Sequence, residues 1–103
     1  MQEEYRVVLT NEAKADIIEI ARYYIALGLY DTCSKLLNQL YKDINSLSFL
    51  PHRFALVEEN KLHKSDIRRM ISGRLLVFFY IDDLDSVVTV IGVLAAKQNQ
   101  WSL

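Results

Sequence analysis

The sequence predicts an α+β domain: an N-terminal strand, then an antiparallel two-helix hairpin packed on a small, mainly antiparallel sheet, in the order β-α-α-β-β-β. Three observations carry this. Two stretches of three- and four-residue apolar period, from Ala13 to Ile25 and from Leu36 to Leu47, follow one another across Gly28. From Arg53 onward the period falls towards two. The last third then holds two runs dense in Val, Ile and aromatic residues, residues 74–82 and 87–94, separated by Asp82, Asp83, Leu84, Asp85 and Ser86. Strands this apolar need a cover, and the preceding helical hairpin is the only material available to supply it.

Each element has its local justification. Tyr5-Arg6-Val7-Val8-Leu9 is a short strand, and Thr10-Asn11-Glu12 supplies an N-cap and an acidic first turn for the first helix. In that helix Ala13, Ile17, Ile20, Ala21, Tyr24 and Ile25 share one side, and Lys14, Asp16, Glu19 and Arg22 fill the other. Gly28 stops it. Asp31 or Thr32 is expected to cap a second helix, whose Leu36, Leu37, Leu40, Tyr41, Ile44 and Leu47 keep the period until Phe49-Leu50-Pro51 ends it. Phe54-Ala55-Leu56-Val57 is a weak strand, residues 67–71 another, and the two strong strands close the chain. Glu58-Glu59-Asn60 and the segment 82–86 are turns, the second a hairpin loop.

Composition narrows the classes of function. With 103 residues, 51% of them hydrophobic, the chain can build one small core, so residues 1–103 are read as a single domain of modest stability. Cys33 has no partner for an internal disulfide, and no secretory signal precedes the polar start, so a reducing cytoplasm is expected. No apolar run approaches the roughly 18 residues of a membrane span. The net charge of −1 does not announce a polyanion partner. The charge is uneven, however: Lys61, Lys64, Arg68, Arg69 and Arg74 against Asp66 give +4 within fourteen residues. There is no paired Cys/His spacing for zinc, no glycine-rich phosphate loop and no nucleophile elbow, so neither metal nor cofactor is expected.

The element order, with these residues in it, resembles the RelE/ParE superfamily of bacterial type II toxins. The likeness covers nearly the whole chain. It rests on Tyr5-Arg6-Val7-Val8-Leu9-Thr10 followed by Ala13 and Asp16-Ile17, and on Ile44-Asn45-Ser46-Leu47 with Pro51 beyond. It continues through Ile67-Arg68-Arg69, Gly73-Arg74 and Val77-Phe78-Phe79 to Val90-Ile91-Gly92-Val93-Leu94 with Lys97. The resemblance implies a toxin held inactive by a cognate antitoxin, which either cleaves messenger RNA on the ribosome or poisons DNA gyrase. Two departures stand out. Where relatives carry His or Tyr after the last strand, then a small residue and two Arg, this chain has Ala95, Ala96, Lys97 and Gln98, and the family Trp stands one residue displaced as Trp101.

An endonuclease of this kind must deprotonate a 2′-hydroxyl, stabilise a phosphorane-like charge and protonate a leaving oxygen. Arg68, which matches a family Arg, His63 and Lys64 are the candidate catalytic residues. Lys61, Arg69, Arg74 and Lys97 are candidates for binding RNA or another target, and Arg68, Arg74 and Tyr80 for binding the antitoxin. Each has a plain structural alternative: a strand Arg as salt-bridged surface, a loop His as a solvated one, Tyr80 as packing. His52 reads as a turn residue and Asp82-Asp83 as solvating charge. The resemblance puts a ribosome-dependent mRNA interferase first, with a non-enzymatic gyrase inhibitor or a degenerate toxin that keeps only antitoxin binding as the alternatives. In all three the expected partner is an acidic antitoxin in a hetero-oligomer.

Overall fold

Thr10 opens the first helix through its own side chain. The computed structural model describes residues 4–57 and 66–95. In order these form β1 (Arg6–Leu9), α1 (Asn11–Ala26), α2 (Tyr30–Asn45), two short 3₁₀ turns at Ser46–Ser48 and Pro51–Arg53, β2 (Ala55–Leu56), β3 (Arg68–Ser72), β4 (Leu75–Asp82) and β5 (Val87–Ala95). The Thr10 hydroxyl accepts from the Ala13 N–H at 3.1 Å, satisfying one of the donors that a helix start leaves orphaned. At the other end Gly28 takes φ +74°. Its N–H donates to Ile25 O and that of Leu29 donates to Tyr24 O, the paired bonds of a glycine-terminated helix.

Two local expectations are corrected. Neither Asp31 nor Thr32 caps α2: the helix begins at Tyr30, and Leu29 occupies the cap with no side-chain bond. Only three residues separate the helices, so the chain re-enters helical geometry before its first polar residue arrives. Helix α2 also stops at Asn45, short of Leu47. There the Ser46 hydroxyl donates to Asp43 O at 2.6 Å, and such a side-chain bond competes with continuation of the helix. Leu47 is fully buried all the same, from within a 3₁₀ turn.

The sheet has the order β1-β5-β4-β3-β2. It is antiparallel except for β1, which runs parallel to β5 with Arg6 opposite Val87. The weak strand of the sequence reading survives as two residues, Ala55 and Leu56, paired with Arg69 and Arg68. Leu75, Val77 and Phe79 alternate with Leu76, Phe78 and Tyr80 along β4, and the first three are fully buried. With Met70, Val88, Val90 and Val93 they form the sheet side of the core. Ala13, Ile17, Ile20 and Tyr24 of α1 and Cys33, Leu40 and Ile44 of α2 form the helix side. Between Phe78 and Phe79 the β4–β5 register slips, leaving Ile91 without an opposite number. Beside this bulge Asp16 of α1 accepts from the Val93 N–H at 3.0 Å. A Cβ on Gly92 would lie 3.4 Å from the same carboxylate oxygen, at the edge of ordinary contact. The turn at 58–60 and Trp101 lie outside the described residues. No described helix is long and apolar enough to cross a membrane.

Candidate functional site

Among the described residues of the predicted basic set, Arg68, Arg69 and Arg74 stand apart. Arg68 opens β3, half-buried, and its Nη1 donates to two main-chain carbonyls, Phe54 O at 2.7 Å and His52 O at 3.2 Å. That guanidinium ties the sheet edge to the segment leaving α2. Arg69, one residue on, is exposed on the other face of β3, opposite Phe78 and Ala55. Arg74 lies beyond the far end of the strand, exposed in the two-residue turn with Gly73, whose φ of +58° is what such a turn requires. Arg68 and Arg74 therefore stand a strand's length apart. Tyr80 is half-buried on the face away from the helices, opposite Thr89. Lys61, His63, Lys64 and Lys97 lie outside the described residues.

Around Arg68 the chain assembles a cluster that sequence reasoning passed over. The Asp83 carboxylate accepts from the Tyr5 hydroxyl at 2.7 Å through one oxygen, and its other oxygen lies 3.1 Å from His52 Nε2. The Tyr5 and His52 rings meet edge to face at 6.0 Å. Asp83 is thus a junction of the segment leading into β1, the second 3₁₀ turn and the β4–β5 loop, where solvating charge was expected. Its neighbour Asp82 is also committed, accepting from the N–H groups of Leu84 and Asp85 to shape that loop. Arg53 completes the corner by donating to Phe49 O and to Leu50 O while its guanidinium lies 4.4 Å over the Phe54 ring. The only available sequence signal was the unusual concentration of Asp in a hairpin loop. The partners are 31 and 78 residues away, so nothing local identifies them.

The Tyr5 hydroxyl first, then the His52 side chain, hold the Asp83 carboxyl below its ordinary value of 3.8. A carboxylate with a lowered folded-state value stabilises above the ordinary carboxylate range, and that contribution disappears as pH falls through the lowered value. Melting temperatures of wild type and Asp83→Asn, followed from about pH 6 down to about pH 2, should differ most at the upper end and converge in acid. Curves that stay parallel throughout would show that the junction carries no ionic contribution.

At the opposite end of the β3–β4 hairpin, Arg74 borders an open hollow of about 300 Å³ between the first half of α2 and the turn. Tyr24, Thr32, Lys35, Leu36 and Gln39 line the rest with Gly73. Among the described residues no group of three or more His, Cys, Asp or Glu is placed to hold a metal ion.

Comparison with known proteins places this geometry. Residues 7–100 match the family model described as ParE toxin of type II toxin-antitoxin system, parDE. A chromosomal ParDE toxin–antitoxin system from P. aeruginosa superposes with a TM-score of 0.71 at 13% identity, covering 89% of this chain and 96% of that one. The RelBE2 toxin–antitoxin complex from Mycobacterium tuberculosis gives a TM-score of 0.59 at 20% identity, with 92% and 94% covered. The archaeal RelE–RelB complex from Pyrococcus horikoshii OT3 gives 0.59 at 14%, with 90% and 96% covered. No curated protein matches significantly. At these identities the structures speak for the fold: strand first, two helices, mixed sheet.

Proposed function

This chain belongs to the ParE toxin family of type II toxin–antitoxin systems, and from that premise we propose that it arrests growth by holding a protein target, DNA gyrase, and not by cutting messenger RNA. One observation carries the choice. Arg68, the cation that RNA cleavage would most need, spends its Nη1 on the carbonyls of Phe54 and His52. A phosphate ligand would be left the Nη2 and Nε donors, on a guanidinium already anchored to the main chain at the sheet edge. Ala95, at the end of β5, brings no acid or base to the position where nuclease relatives carry one. A cognate antitoxin neutralises the toxin by covering apolar and basic surface in a hetero-oligomer. Structures of ParDE and RelBE systems, which share this fold, support that partner.

The interferase reading has one observation on its side. His52 and Asp83 form an imidazole–carboxylate pair beside Arg68, with His52 about half exposed, an arrangement suited to moving a proton. Pulse labelling after induction without the antitoxin separates the two readings. Thymidine incorporation should fall first. An earlier fall in amino-acid incorporation, relieved by His52→Ala, would establish the nuclease, and no fall in either would mark a toxin reduced to antitoxin binding.

A further inference from the structure

The hollow beneath Arg74 has a chemistry that its surroundings leave unused. Lys35 and Arg74 stand at its rim, and among the described residues no carboxylate lies within ion-pair distance of either. Its wall holds the Tyr24 side chain, which is only 8% exposed as a whole. Thr32 adds a second hydroxyl, and the Gln39 amide is already donating to Asp43 at 2.9 Å. No Asp or Glu contributes to the lining, while Leu36 and the Tyr24 ring give it an apolar floor.

We infer that this hollow is a docking site for a carboxylate-bearing, partly apolar segment of the antitoxin. The inference rests on the antitoxin reading above and locates it. Two cations that have no carboxylate partner among the described residues, with the Tyr24 and Thr32 hydroxyls in the same lining, suit an anion, and the floor suits an aliphatic side chain beside it. A peptide segment with an acidic residue next to Leu or Ile offers both, whereas a phosphodiester offers only the charge. A space of about 300 Å³ admits one or two side chains, not a folded surface. The hollow also continues: Thr32 borders a second depression, lined by Gly28, Leu29, Tyr30 and Asp31 at the α1–α2 loop. There Leu29 is 42% and Tyr30 64% exposed, which gives an amphipathic segment further apolar surface along the same line.

The test takes the small protein encoded beside the toxin gene as the antitoxin and measures its binding to the full-length toxin and its variants by fluorescence anisotropy. Lys35→Glu with Arg74→Glu should weaken the complex roughly tenfold or more, and Tyr24→Phe a few-fold, with thermal melting of the toxin unchanged. Lys14→Glu with Lys42→Glu reverses the same amount of charge on exposed positions elsewhere and should change little. Equal weakening by both pairs would reveal a bulk charge effect and overturn the site. So would antitoxin affinity that Lys35→Glu with Arg74→Glu leaves intact. If that double variant instead abolishes binding of a short single-stranded RNA while sparing the antitoxin, the hollow belongs to nucleic acid and the proposal falls. An antitoxin that does not bind the wild type at all would overturn the partner reading itself, together with the site.

Discussion

Phe79→Ala is expected to remove about 3–5 kcal/mol of stability, a large share of the about 5–15 kcal/mol that holds a folded domain together. Phe79 is fully buried at the centre of β4, one strand from each neighbour, and its ring meets Phe54 edge to face at 6.0 Å. It also stands at the register slip opposite Val90. Collapse into the vacated space would have to move the bulge, which Asp16 fixes from the helix side through Val93. The cost should therefore fall towards the upper end for a cavity of this size. Ile71, 68% exposed on β3, is the control, and its alanine variant should stay within about 0.5 kcal/mol of wild type in urea titration. A small loss at Phe79 would mean that the two faces of the hairpin repack readily and that the slip is not a fixed point.

The features legible in the sequence are those decided within a few residues. Thr10 and Gly28 act as read, because a cap and a left-handed stop depend on immediate neighbours. The 82–86 hairpin and the alternation along β4 are likewise set by turn chemistry and burial. The start of α2 was misplaced because a three-residue connection left no room for the cap that Asp31 or Thr32 suggested. The parallel contact of β1 with β5 could not be seen, since it joins residues 81 apart and depends on where the helices deliver the chain. The candidate site suffered more. A run of five cations over residues 61–74 looked like one surface, yet alternation along β3 sends Arg68 and Arg69 to opposite faces and the turn carries Arg74 to the far end. Tyr24 read only as a packing residue and Lys35 gave no signal, because the hollow they line with Arg74 joins residues 50 and 39 positions apart.

Arg68→Ala should cost about 1.5–3 kcal/mol, since it removes charged hydrogen bonds to two carbonyls that are then left without their donor. The same change withdraws a cation from the neighbourhood of Asp83. Such a loss divides the two mechanisms when arrest is measured together with the amount of folded toxin. If Arg68 serves the fold, growth arrest should fall in proportion to the folded fraction and return at lower growth temperature, where that fraction recovers. Arg68→Lys should then lie between alanine and wild type, because one ammonium can reach the carbonyls without the planar geometry of the guanidinium. If Arg68 instead steadied a phosphorane-like charge, both variants would lose arrest by orders of magnitude with the protein still folded, and cooling would not restore it. That second pattern would return the nuclease reading to first place, with His52 and Asp83 as its acid–base pair.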